Sequence, residues 1–213
     1  MLSHRQVRPT ASRSRAPRAP AVAALLALLL PAGAPAQEQS GYDYPETATS
    51  PATVDSMLRL AGVTGADTVY DLGSGDGRIV IRAAERYGAA GVGIEIDADL
   101  VAEARRRARK AGVADRVRFI EGNFFEVDLR PATVVTTYLL PGTMRRLPSH
   151  LLRELRPRTR VVSHDFDMDA WPADSVIGWW DDDGGRTTLL RWVVPARVGG
   201  SWRLRLPEAA GGT

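Results

Sequence analysis

The chain predicts an α/β fold: a mostly parallel seven-stranded sheet with helices on both faces and a C-terminal antiparallel hairpin. Three observations predict it. Short apolar runs alternate with segments of helical period between residues 69 and 163, which is the layout of repeated βα units. A glycine-rich turn, Gly73-Ser74-Gly75-Asp76-Gly77, joins the first apolar run to a helical segment. Beyond residue 174 the helical periods stop and two β-rich runs remain.

Ser50-Pro51 reads as an N-cap and first helical residue, with Val54, Met57, Leu58 and Ala61 at helical spacing behind them. Residues 69–72 form the first strand and residues 78–87 the helix that continues from the glycine turn. A second strand over 91–97 is followed by a helix over 100–111, with Gly112 as its C-terminal cap. Residues 117–121 are a third strand, 132–138 a fourth, 144–155 a helix and 160–163 a fifth strand. Residues 174–180 and 187–194, separated by Asp181-Asp182-Asp183-Gly184-Gly185, form the hairpin. Parallel strands with right-handed crossovers bring Asp71, Glu95, Asn123 and Tyr138 together at their carboxyl ends.

The glycine turn has the character of a nucleotide-type cofactor site, because glycine lets the backbone fold tightly and approach a ligand closely. Its spacing narrows the ligand. A dinucleotide site requires G-x-G-x-x-G, but Arg78 stands where the third glycine would be, and Gly77 comes one residue early. Asp71, two residues before the first glycine, repels phosphate and attracts an ammonium or sulfonium. The ligand is therefore expected to carry positive charge.

An acid followed by G-x-G-x-G resembles the first motif of the class I S-adenosylmethionine (SAM) dependent methyltransferases, which have a Rossmann-like fold. The stretches YDLGSGDGRIVI from Tyr70, GIEID from Gly93, YLLP from Tyr138 and RVVSH from Arg160 are similar to a narrower group. That group is the ATP synthase c-subunit lysine methyltransferase family with its bacterial relatives, Dot1-like in part, and the resemblance spans roughly residues 42–205. It implies a cofactor site made of Asp71, Gly73, Ser74, Gly75, Asp76, Gly77, Glu95, Ile96, Asn123 and Phe124, with Tyr44 over the bound SAM. Within it Glu95 holds the ribose hydroxyls and Asn123 lies near the adenine amino group. It also implies a methyl acceptor in a protein, with lysine as the expected side chain and a small-molecule acceptor or a SAM- or nucleoside-binding protein without turnover as alternatives.

Methyl transfer to an amine needs a positioned, deprotonated acceptor and no metal, and Tyr138 and His164 at strand ends are the catalytic candidates. Thr137-Tyr138-Leu139-Leu140-Pro141 stands where amino-methylating relatives carry an Asn/Asp-Pro-Pro-aromatic motif, which speaks against nucleobase or glutamine-amide acceptors. Asp165, Asp167 and Asp169 alternate, but as solvated acids and not as a cation loop. The five tryptophans, all beyond residue 170, read mainly as packing of the hairpin.

Residues 1–36 differ in chemistry from the rest. Five arginines without an acid precede an apolar run over residues 21–30 and small residues at 34–36, the outline of an export signal. The run is too short for a spanning helix, which needs about 20 residues. The expected location is outside the cytoplasm or periplasmic, or cytoplasmic or membrane-anchored if the leader is not cleaved. SAM made in the cytoplasm pulls against export. Setting the leader aside leaves 23 basic against 25 acidic residues, so a formal charge of +3 becomes −2 and no nucleic-acid partner is expected. Residues 37–49 are expected to be a linker, 50–206 the domain and 207–213 a disordered tail. Cysteine is absent, which excludes disulfides and thiolate chemistry.

Overall fold

The computed structural model describes residues 48–180 and 185–197, which belong to the compact unit Gly41–Thr213. The leader, Tyr44, Trp202, most of the hairpin loop and the tail lie outside the described residues. Among the described residues seven strands form one sheet in the order β3-β2-β1-β4-β5-β7-β6. These are β1 Thr68–Leu72, β2 Ala90–Glu95, β3 Val117–Glu121, β4 Val134–Thr137, β5 Arg160–His164, β6 Ser175–Trp180 and β7 Arg186–Val193. Strands β1 to β5 are parallel, while β7 runs antiparallel to both β5 and β6. Sheet, crossovers and hairpin follow the sequence-based expectation.

Alternation along each strand divides the core into two layers. Val69 faces helices α1 (Pro51–Leu60), α2 (Arg78–Tyr87) and α3 (Ala98–Lys110), packing with Met57, Leu58, Val80 and Ala104. Its neighbour Tyr70 faces the other way, into a layer with Leu129, Leu147, Leu151 and Trp192. The capping residues act as expected: Ser50 Oγ accepts from Thr53 N at 3.2 Å, and Gly112 follows α3 with φ +71. On α3 only Val101, Ala104 and Ala108 are buried, so the basic run 105–110 is largely a solvated face.

One expectation is corrected. Apolar spacing predicts a single helix over 144–155, but the chain forms two, α4 Pro141–Met144 and α5 Leu147–Glu154. Pro148 has no N–H to offer the carbonyl of Met144, so a helix through that point lacks a bond and α5 instead takes the proline into its first turn. A 3-10 turn, Phe124–Glu126, also appears after β3. Among the described residues no helix is long and apolar enough to cross a membrane.

Candidate active site

The sheet reverses its winding between β1 and β4, and the crevice beyond the carboxyl ends of these strands is where open α/β sheets bind ligands. The glycine turn lies there. The N–H groups of Gly73 and Ser74 both donate to Ile94 O, at 2.9 and 3.0 Å, fastening the turn to the end of β2. Gly73, Gly75 and Gly77 have φ of +75°, +52° and +77°, the left-handed region where a Cβ costs about 1–2 kcal/mol. Their surroundings differ, however. A Cβ on Gly77 would come within 2.5 Å of the Phe119 ring, so this glycine lets α2 pack onto β3. A Cβ on Gly75 would meet nothing within 4 Å among the described residues, leaving that side of the backbone open to a ligand.

Two carboxylates flank the turn, each in a residue only 2 % exposed. Glu95 Oε2 accepts from Gly75 N at 2.8 Å, and its Oε1 accepts from Ile96 N at 2.7 Å and Asp97 N at 3.1 Å. Three of about four acceptor sites are thus committed to backbone, which aims the remaining lone pair and fixes the turn. Asp71 lies opposite Thr136 across the β1–β4 ladder, and its Oδ1 accepts from Thr136 Oγ1 at 2.8 Å. Burial raises the Asp71 carboxyl to about 7; the Thr136 hydrogen bond lowers it, the Glu95 charge raises it and Arg78 lowers it. A cation placed against Asp71 would restore its ionised form.

The other expected cofactor residues take distinct positions. Asp76 pairs with Arg78 at 2.7 Å and with Arg107, bracing α2 against α3. Ser74 Oγ is buried beside Gly93 and has no hydrogen-bond partner among the described residues. Asn123 caps the 3-10 turn, its Oδ1 accepting from Phe125 N at 2.9 Å while its Nδ2 donates to Glu126 Oε1 at 3.1 Å. Phe124 is buried, its ring 4.7 Å from that of Phe125. Strands β1, β2 and β3 are neighbours in parallel, so these residues follow carboxyl ends on one edge of the sheet, and Glu95 is the one bonded to Gly75.

Tyr138 and His164 come together at the ends of β4 and β5, with ring centroids 4.0 Å apart, and the Phe166 ring stacks with that of Tyr138 at 6.0 Å. Both His164 nitrogens are engaged. Nδ1 bonds Thr49 Oγ1 at 3.1 Å and Nε2 lies 3.4 Å from Asp165 Oδ2. Asp165 itself turns the chain at φ +60° and is held by Thr188, its N–H donating to Thr188 O and its Oδ1 accepting from Thr188 N, both at 2.7 Å. Burial, with Asp165 adding, pushes the Tyr138 phenol above its ordinary value, so the group stays protonated near neutrality.

Sequence reasoning missed three residues here. Thr136 supplies a side-chain hydrogen bond to Asp71, and the signal was present: a buried acid needs a donor from the adjacent strand, and Thr136 and Thr137 are that strand's hydroxyls. Thr49, placed by sequence at the end of a linker, is 4 % exposed. Its carbonyl accepts from Arg78 Nη1 at 2.9 Å while its hydroxyl holds His164. Nothing local in the sequence announces it or the role of Arg78. A separate cleft of about 700 Å³ opens between α1, α2 and α3, lined by Arg82, Glu85, Glu103 and Lys110 among others. It lies on helix flanks, where acids and bases interleave.

Comparison with known proteins decides between cofactors. The ANTKMT methyltransferase domain matches residues 71–175, starting at the buried acid of the glycine turn. A protein-lysine N-methyltransferase of Saccharolobus islandicus is 43% identical over 147 residues, covering 68% of this chain and 91% of the relative. The chain belongs to the ANTKMT methyltransferase family. An ATP synthase c-subunit lysine N-methyltransferase of Caenorhabditis elegans is 33% identical over 162 residues, covering 73% of this chain and 84% of the relative. A crystal structure described as an RNA methyltransferase from Salinibacter ruber, with S-adenosyl-L-homocysteine bound, is 52% identical with a TM-score of 0.67. It covers 73% of this chain and 98% of that one. This methyltransferase is SAM-dependent, as the sequence motif implied. The open side of Gly75 and the carboxylates of Asp71 and Glu95 fit a ligand that carries cationic charge and hydroxyls.

Proposed function

We propose that this methyltransferase modifies the side-chain amine of lysine in a protein acceptor. The carrying observation is the aromatic group at the ends of β4 and β5, where the Tyr138 ring lies 4.0 Å from that of His164 and 6.0 Å from that of Phe166. Aromatic faces attract an ammonium and, by excluding water, favour its neutral amine, and lysine must lose a proton before it can attack. When bound, SAM supplies a methyl carbon on a sulfonium, which an amine lone pair takes in line as the thioether leaves. Tyr138, protonated and half-buried, acts through its ring face and hydroxyl to orient the amine. His164, held by Thr49 and Asp165, fixes the Tyr138 ring, so its part is positioning more than proton removal. Lysine methyltransferases among the relatives support this reading.

The Salinibacter ruber relative favours a second reading, an RNA acceptor. Charge weighs against it: residues 37–213 carry a formal −2, and Asp165, Asp167, Asp169 and Asp181 to Asp183 lie in the acceptor half of the sequence. A small-molecule acceptor calls for a pocket closed by the hairpin, whereas β6 exposes Val176, Ile177 and Trp180. Incubation with methyl-labelled SAM and a cell lysate, followed by protease or ribonuclease digestion, separates the readings. Label recovered as methyl-lysine from protein is the expected result, and label released by ribonuclease overturns it.

A further inference from the structure

His164 ends β5 in a row of three residues that crosses the switch point of the sheet. The register pairs Leu72 with Thr137 and Thr137 with Ser163, so Gly73, Tyr138 and His164 come next on β1, β4 and β5. The first residue of the glycine turn, the phenol and the imidazole therefore leave the ladder at one level. The His164 and Tyr138 rings meet at a centroid distance of 4.0 Å with 31° between their planes, so the angle of one limits the angle of the other.

An imidazole turns about a broad, two-fold torsion, and a partner on each nitrogen selects one orientation. One partner is local. His164 Nε2 lies 3.4 Å from Asp165 Oδ2, and Asp165 Oδ1 is clamped to Thr188 N on β7. The other partner comes from 115 residues earlier, with Thr49 Oγ1 at 3.1 Å from Nδ1. A carboxylate offers lone pairs only, so Nε2 carries a proton, and in the neutral ring Nδ1 accepts the Thr49 hydroxyl hydrogen. Thr49 is itself fixed. Its carbonyl accepts from Arg78 Nη1 at 2.9 Å, and Arg78 is forked onto Asp76 at 2.9 and 2.7 Å at the start of α2. Thr49 and His164 are both buried, so bulk water does not replace a lost hydroxyl.

We infer that Thr49 is a positioning residue for methyl transfer: its hydroxyl sets the His164 imidazole and, through that ring, the angle at which Tyr138 presents an amine to the cofactor. It acts through other side chains and not on the reacting atoms. In-line displacement is sensitive to that angle, because the reacting atoms must sit ~3–3.5 Å apart and aligned. Loss of the hydroxyl should leave the acceptor bound and badly aimed, whereas loss of the Tyr138 ring weakens its binding. The inference deepens the lysine reading and rests on it.

Thr49→Val keeps the branched shape and the carbonyl that Arg78 uses, and Thr49→Ser keeps the hydroxyl. Each is made in the full chain and again in a His164→Phe background. Rates are measured with poly-L-lysine and methyl-labelled SAM, and affinity for S-adenosylhomocysteine by calorimetry. T49V is expected to lower kcat roughly tenfold, with acceptor KM and S-adenosylhomocysteine affinity within about twofold, while T49S stays within about twofold of wild type throughout. In the H164F background T49V should cost no more than about twofold, since the ring through which it acts is gone. A second readout needs no acceptor. The chain has three histidines, so NMR of nitrogen-labelled histidine gives few signals, and H164F assigns those of His164. T49V should move the His164 Nδ1 signal and T49S should leave it in place. Unchanged His164 signals in T49V overturn the inference, as does a kcat loss that T49S shares or that persists in full in H164F. An equal fall in kcat and in S-adenosylhomocysteine affinity also overturns it, marking a general loss of packing. Should T49V fail to fold, Thr49→Ala takes its place. If the His164 signals move while wild type places no methyl on poly-L-lysine or on lysate protein, the hold on His164 stands and the lysine reading falls. The kcat comparison is then run on the acceptor class that carries the label.

Discussion

The two sides of the sheet's switch point are built differently. On the β1–β2–β3 side, Glu95 is closed into backbone, accepting from three N–H groups, and Gly77 is packed against Phe119. On the β4–β5–β7–β6 side, contacts run between side chains, from Thr49 through His164 to Tyr138, and end in an exposed apolar strand. The first side has one cofactor to hold and is preorganised for it. In the function proposed above, the second meets the acceptor through aromatic faces. Damage to the first should abolish binding of SAM, and damage to the second should change acceptor use while leaving that binding intact.

The sharpest way to break this division is Gly77→Val, which introduces a β-branched residue at φ +77° and a Cβ within 2.5 Å of Phe119. Strain and overpacking together should cost about 3–5 kcal/mol and lower Tm in a thermal melt, whichever side is assayed. Next in size, Glu95→Ala frees three backbone N–H groups and removes the acceptor beside Gly75, and calorimetry should show SAM affinity falling by about 100-fold. Tyr138→Ala should raise KM for a lysine acceptor by roughly tenfold while SAM affinity stays within about twofold, which places the residue on the acceptor side. Equal losses in both measurements would erase the distinction between the two sides.

Acidity offers a finer test. Since the Asp71 carboxyl stands at about 7 without ligand, a cationic ligand must displace a proton below that pH. SAM affinity should therefore fall by up to about tenfold per unit as pH drops below 7 and level off above it, and Asp71→Asn should flatten the profile. For the free protein the sign is opposite. A raised carboxyl pKa favours the folded state below the unfolded value of 3.8, and that contribution is lost as pH rises through about 7. The smallest expected effect is that of Thr136→Val, which removes a hydrogen bond that lowers the Asp71 pKa and should move the midpoint of the binding profile upward.

The same division explains what is legible in the sequence. Asp71, the three glycines and Glu95 can be read there because turn conformation and strand-end position are local properties, fixed by residue type and spacing. Pro148 is equally visible, yet the apolar spacing of residues 144–155 outweighs it and hides the break between α4 and α5. Tyr138 and His164 both stand out at strand ends, but their ring contact does not, because it joins residues 26 positions apart on different strands. Thr49 reaches 115 residues to His164 and can be found only in three dimensions.

Phe119 lies over two glycines at once, for a Cβ on Gly93 would come within 2.7 Å of the same ring that excludes one from Gly77. The three positions cannot drift independently. Gly93 lacks a positive φ, so alanine there becomes tolerable once position 119 shrinks, although Ser74 Oγ, at 2.6 Å, must also yield. Gly77 has less freedom, because its positive φ costs any side chain about 1–2 kcal/mol even after the ring is gone. Among descendants of this sequence, substitutions at 93 should travel with smaller residues at 119, while 77 stays fixed.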